Sequence, residues 1–96
     1  LGPQLRAWSD EGGKKKQIRV LLSTLHTVMW PNSAWKEVSM GKLLNPAAVK
    51  KAHRRAMLIV HPDKHGSHTM ERRFVAERVF EAVNEAWEVF ESAEMG

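Results

Sequence analysis

Ala76, Phe80, Val83, Trp87 and Phe90 alternate spacings of four and three, and this constrains the fold more than any other feature of the chain. Only an α-helix, with 3.6 residues per turn, brings such positions into one stripe. Val79 and Ala86 widen the stripe, while Glu77, Glu81, Glu85 and Glu88 line a neighbouring face. The pattern predicts a helix over 70–93, with Ser67 or Thr69 as its cap. A second helix start is written in Asn45-Pro46, since Asn accepts from an orphan backbone N–H and Pro is pre-set for the first helical position. That helix should cover 46–60, with Val49, Ala52, Ala56, Ile59 and Val60 inward and Lys50, Lys51, Arg54 and Arg55 on the opposite arc. Pro62 closes it by pushing His61 out of the α region.

Upstream, Ile18, Leu21, Leu22, Leu25, Val28 and Met29 form one stripe of a helix predicted over 17–30, stopped by Pro31. Pro31-Asn32-Ser33 is turn chemistry, and the segment to Leu44 reads as a long loop anchored by Trp35 and Val38. Residues 3–16 read as a short helical turn around Leu5, Ala7 and Trp8, then a mobile connection through Gly12, Gly13 and Lys14-Lys15-Lys16. With no β-alternation and no repeats, the class is all-α.

A chain of 96 residues holds one domain and has to pack economically, because short chains bury only about 60% of their unfolded surface. It has no Cys, which removes disulfides, thiolate zinc sites and cysteine nucleophiles and fits a reducing compartment. The longest apolar run, Ala56 to Val60, is far below the roughly 20 residues of a membrane helix, so no span is expected. The chain begins at Leu1 rather than Met, as expected of a domain excised from a longer protein.

Net charge is +4 and the pI about 9.8, which invites a nucleic-acid reading. The distribution argues otherwise. Fourteen of the 15 Lys and Arg precede residue 74, whereas the last segment carries Arg78 against six Glu. A basic three-helix nucleic-acid-binding module is the competing class, but its recognition helix would have to carry donors to base edges, and the glutamates of the third helix would repel phosphate. No specific nucleic acid is therefore expected.

The tightest polar cluster runs from His61 through Pro62, Asp63, Lys64, His65, Gly66 and Ser67 to His68. His61, Asp63, His65 and His68 are competent zinc ligands, yet eight consecutive residues without evident supporting partners make a weak site. A His and Asp acid–base pair would need a pocket that excludes water, and no nucleophile stands beside a base. Taken alone, the cluster reads as a solvated turn in which Pro62 fixes the backbone and Asp63 or Ser67 caps a local N–H. No metal, cofactor or catalytic residue is expected.

The order of segments is more specific than any of them singly. "VKKAHRRAMLIVHPDK" (Val49 to Lys64), followed by "AERVFEAVNEAWEVFES" (Ala76 to Ser92), resembles helix II, the His-Pro-Asp loop and helix III of the DnaJ-type J-domain. Phe80, Val83, Asn84, Ala86, Trp87 and Phe90 match the family's pattern in the third helix. The first helix departs from the usual Asp-Tyr-Tyr-x-x-Leu opening. Instead "IRVLLSTLHTVMW" (Ile18 to Trp30), with Trp8, Trp35 and Val38, resembles the J-domains of auxilin and cyclin-G-associated kinase. Lys14-Lys15-Lys16, and Val60 where many J-domains carry Tyr, are local departures.

The resemblance implies an antiparallel helix II/helix III hairpin with an exposed His-Pro-Asp loop, packed on helix I. Residues 1–16 would be an N-terminal extension packing through Trp8 and partly mobile, and 17–93 the J-domain. It implies a co-chaperone that is not itself an enzyme. This would bind a heat-shock 70 kDa chaperone in its ATP state, stimulate its ATP hydrolysis and, with clathrin engaged through the full-length protein, drive uncoating of clathrin-coated vesicles in the cytoplasm. The chaperone-binding set would be His61, Pro62, Asp63 and Lys64 with Lys50, Lys51, Arg54, Arg55 and Leu58, acting as a monomer. Asp63 would meet a buried arginine of the chaperone, and the four helix cations an acidic surface. Leu58 lies among those cations on the wheel, so it is either an edge contact of the core or part of the interface. His26 and His53 read as packed or half-exposed imidazoles rather than ligands, and Trp8, Trp30 and Trp35 as fasteners of the N-terminal segment and the long loop.

Overall fold

A computed structural model describes residues 2–95; Leu1, expected as the first residue of an excised domain, and Gly96 lie outside the described residues. Four α-helices follow one another: α1 (Gly2–Ser9), α2 (Ile18–Thr24), α3 (Pro46–Val60) and α4 (Met70–Phe90). α3 and α4 form the antiparallel hairpin, and α2 packs against both. The core joins Leu21, Leu22 and Leu25, Leu43 from the loop, Val49, Ala56 and Val60 from α3, and Ala76, Val79 and Val83 from α4. The expected all-α architecture, an antiparallel hairpin packed on an earlier helix, holds.

The helix starts are chemically explicit. Asn45 Oδ1 accepts from the Ala48 N–H at 2.8 Å with Pro46 at the first position, and Thr69 Oγ1 accepts from the Arg72 N–H at 3.2 Å. Thr69, rather than Ser67, therefore caps α4. α4 itself is shorter than the predicted 70–93: it ends at Phe90 and continues through a wider π turn, Glu91–Met95.

Three further expectations need correction. The helix predicted over 17–30 stops at Thr24 and passes into a 3-10 turn, Leu25–Thr27. Hydroxyls explain the break, since Thr24 Oγ1 donates to the Val20 carbonyl at 2.7 Å and Thr27 Oγ1 to the Thr24 carbonyl at 2.6 Å, competing with the backbone ladder. The N-terminal segment is a two-turn helix followed by a two-residue hairpin pairing β1 (Asp10–Glu11) with β2 (Lys14–Lys15), in place of a helical turn and an irregular connection. Gly12 (φ 58) and Gly13 (φ 81) supply the two left-handed positions of its tight turn. The register sets Asp10 opposite Lys15 and Glu11 opposite Lys14, so opposite charges face each other. Finally, Phe80, Trp87 and Ile59 sit at the margin of the core rather than within it. Val75, Val79 and Val83 hold the centre of α4's inner face, leaving the Phe80 and Trp87 rings to flank it, while Phe90 is buried at its end.

The long loop is fastened by Trp35, which is buried, and ends in a 3-10 turn, Met40–Leu43. Arg19 secures that end, donating from Nε to the Leu43 carbonyl at 2.6 Å and from Nη2 to the Leu44 carbonyl at 3.0 Å. Among the described residues no helix is long and apolar enough to cross a membrane.

Candidate functional site

The turn between α3 and α4 is built by Pro62. The residue before it, His61, takes ψ 123°, which leaves the helical path. Pro62–Lys64 then form a single 3-10 turn, closed by Lys64 N–H to the His61 carbonyl and His65 N–H to the Pro62 carbonyl, both at 3.0 Å. The capping atom is the His61 Nδ1, which accepts from the Asp63 N–H at 3.3 Å. The Asp63 and Ser67 side chains, considered for this role, do not fill it. The His61 ring stands edge-on to Phe80, with centroids 5.6 Å apart, so the imidazole is braced by α4.

Asp63 thus projects from a turn whose backbone is tied on both sides. Its side chain is 91% exposed, and the His61 ring lies beside it, Nδ1 to Oδ2 3.7 Å, with that nitrogen already accepting from the Asp63 N–H. Lys64 is exposed beside it. Along α3, Lys50, Lys51, Arg54 and Arg55 are all exposed. Among the described residues the glutamates of α4 do not pair with these cations: the ion pairs are Lys15 with Glu85 and Arg19 with Glu94, and the close contacts of His26 with Glu37 and of His61 with Asp63 involve no cation of α3. Leu58 is 63% exposed, which removes the core-edge alternative and sets it among the cations. Lys14-Lys15-Lys16 is largely occupied within the molecule, with Lys15 bonded to Glu85 and Lys16 donating to the Ala7 carbonyl at 2.9 Å.

The four metal-competent residues do not converge. His65 is buried at 2% exposure, whereas His61, Asp63 and His68 are exposed, and no group of three metal-ligating side chains occurs among the described residues. Two features were invisible in the sequence. His65 bonds to the Ile59 carbonyl and to Arg72, and Trp30 packs against both. Only the unusual density of histidines near Pro62 hinted at a structural role. A groove of about 590 Å³ lies elsewhere, between α1, the hairpin, α2 and α4, and none of residues 61–65 lines it.

What remains is a carboxylate presented on a braced turn at the end of a helix bearing unpaired cations. The family model for the DnaJ domain matches residues 37–95, a span that includes the whole α3–turn–α4 unit. The chain belongs to the DnaJ domain family. Its J-domain is 39% identical over 97 residues to auxilin-related protein 1 of Arabidopsis thaliana, which covers 99% of the chain and 10% of that protein. It is 41% identical over 92 residues to an Arabidopsis J domain-containing protein required for chloroplast accumulation response (94% and 14%). An auxilin-like clathrin uncoating factor of Saccharomyces cerevisiae is 37% identical over 89 residues (91% and 13%). The J-domain is of the auxilin type, and the family consists of co-chaperones rather than enzymes. The chain spans about a tenth of the length of the curated relatives it matches.

Proposed function

We propose that this J-domain docks on a heat-shock 70 kDa chaperone in its ATP state and stimulates ATP hydrolysis. The observation that carries the reading is the exposed Asp63 carboxylate on a turn braced by His61 and Pro62, at the end of an unpaired cationic face. A carboxylate without a strong internal partner is free to enter a charge-assisted contact with a buried arginine. Truncating one side of such a contact costs about 2–5 kcal/mol, because the other charge is left desolvated and alone. Pro62 and the His61 cap lower the ordering cost of presenting it. Lys50, Lys51, Arg54, Arg55 and Lys64 speed encounter with an acidic surface and add salt sensitivity. Leu58 supplies an apolar contact among them. The exposed glutamates of α4 oppose binding of nucleic acid along that helix.

The client we assign is the clathrin coat, with the full-length protein acting at clathrin-coated vesicles in the cytoplasm. Support comes from the auxilin-like relatives, one of which is named as a clathrin uncoating factor. Targeting to that client belongs to segments outside this J-domain, which acts as a monomer; residues 1–16 serve as its N-terminal extension, anchored through Trp8.

Single-turnover ATP hydrolysis by a cytosolic heat-shock 70 kDa chaperone tests the docking. The wild-type chain should accelerate it, and Asp63→Asn should abolish the acceleration with an unchanged melting temperature. Equal stimulation by the variant, or none by the wild type, would overturn the mechanism. Release of clathrin from cages by the full-length parent tests the client.

A further inference from the structure

His65 is the single buried polar side chain among the described residues, at 2% exposure, two positions beyond Asp63. Its Nε2 lies 2.8 Å from the Ile59 carbonyl, and its Nδ1 lies 3.1 Å from Arg72 Nε. A guanidinium can only donate and a carbonyl can only accept. The two contacts together therefore require a neutral imidazole with its hydrogen on Nε2 and a bare Nδ1. Trp30 closes the arrangement, edge-on to His65 with centroids 4.9 Å apart and with the Arg72 guanidinium 4.7 Å above its ring.

The Ile59 carbonyl explains why this matters for the turn. Were α3 to continue, that carbonyl would accept from the Asp63 N–H. The Asp63 N–H is instead turned to His61 Nδ1. His65 takes its place at the Ile59 carbonyl, so the last turn of α3 stays satisfied while the chain departs at His61. Through Arg72, the same imidazole is fixed to the first turn of α4. One ring thus sets both ends of the Pro62–Lys64 turn.

We propose that His65, clamped between the Ile59 carbonyl and Arg72, is the positioning residue that fixes the orientation of the Asp63 carboxylate. The inference rests on the docking reading above. His65 is buried and does not reach the partner; it acts through the turn. A charge-assisted contact with a buried arginine depends on the carboxylate being held in the right direction, so a loosened turn should lower activation even where the chain stays folded.

Two substitutions divide the clamp. His65→Gln can place an amide N–H where Nε2 sits and keep the bond to Ile59. His65→Asn can place a carbonyl where Nδ1 sits and keep the bond to Arg72. His65→Ala removes both, and Arg72→Lys removes the Nε–H donor. Each variant is read in two ways: single-turnover ATP hydrolysis by the chaperone over a range of J-domain concentrations, and a thermal melt. For the wild type, long-range proton–nitrogen NMR at neutral pH should show His65 as the Nε2–H tautomer. We expect His65→Ala to lower maximal stimulation by about tenfold, less than loss of the Asp63 contact itself, with little change in the half-saturating concentration, and Gln and Asn each to recover part of it. A merely structural role would lose activity only in proportion to the unfolded fraction, without rescue by either amide.

Wild-type maximal stimulation by both His65→Gln and His65→Asn alongside a folded, fully active His65→Ala overturns the inference, as does an Nδ1–H tautomer. If Asp63→Asn stimulates like the wild type, the docking reading falls and this one with it. If Asp63→Asn is inactive while the His65 variants are fully active, only the positioning role falls.

Discussion

His53 of α3 lies flat on Trp87 of α4, ring centroids 4.3 Å apart and planes 9° apart, with both imidazole nitrogens buried and unbonded. Burial between the helices lowers its pKa from the ordinary imidazole value. The indole face would favour a cation, but an imidazolium there would have no hydrogen-bond partner, and desolvation prevails. Because the folded chain binds this proton less readily than the unfolded one, stability is fully present above the unfolded pKa and is lost as pH falls through the folded value. Thermal melts from about pH 7 to pH 5 should show declining stability, with a single-proton ceiling of about 1.4 kcal/mol per pH unit. His53→Phe keeps a stacked ring and removes the titration, so the difference between its curve and that of the wild type should grow toward acid. A constant difference would show that His53 is not the group responsible.

The cap on α3 offers a test of local structure independent of any partner. Asn45→Ala removes the acceptor for the Ala48 N–H and should cost about 1 kcal/mol, or roughly 4–8 °C in melting temperature for a domain of this size. Asn45→Asp keeps the acceptor and adds a charge favoured at a helix N-terminus, so it should melt at or above the wild type. Equal melting of all three forms would mean that the cap carries no weight.

These two sites differ in how far the sequence revealed them. Asn45-Pro46 announces itself, because capping is decided by residues three apart. The stripes of α3 and α4 were legible for the same reason, and so was the exposed placement of Asp63 that follows from Pro62. The contact of His53 with Trp87 depends on the relative rotation of two helices, which neither stripe specifies. His65 looked like one more polar residue of a solvated turn, since its partners Ile59, Arg72 and Trp30 meet only after α2, α3 and α4 have packed. The hairpin escaped because two residues per strand are too few for alternation to register.

Trp8 joins that N-terminal segment to the rest of the molecule. It is buried within the common core, although its Nε1–H finds no partner. Trp8→Ala should cost about 3–5 kcal/mol, the range for deleting a buried aromatic side chain. Trp8→Phe should cost much less, because the volume it gives up is accompanied by removal of an unsatisfied buried donor. Denaturant titration of both variants measures the difference. An Ala variant as stable as the wild type would show that residues 1–16 are not part of the cooperative unit.

The cations of α3 and the loop turn should divide the docking energetics between them. Lys51 and Arg55 are exposed and make no ion pair among the described residues, so reversing both to Glu should leave the melting temperature nearly unchanged. The double reversal should raise the concentration needed for half-maximal ATPase stimulation by about tenfold or more at low salt, the scale on which steering by a charged face operates. Added salt should weaken the wild type and narrow the gap between the two, since the screening length falls from about 10 Å at 0.1 M to about 3 Å at 1 M. Asp63→Asn should behave differently, losing maximal stimulation at every salt concentration, as follows if the arginine proposed to meet it is desolvated. Leu58→Ala gives the apolar counterpart. At 63% exposure it contributes little to the core, so a weaker half-saturation without a change in salt dependence would place it in the interface. If the Lys51 and Arg55 reversals left half-saturation untouched, the cationic face would be no more than solvated surface, and the docking geometry proposed around Asp63 would need a different approach path.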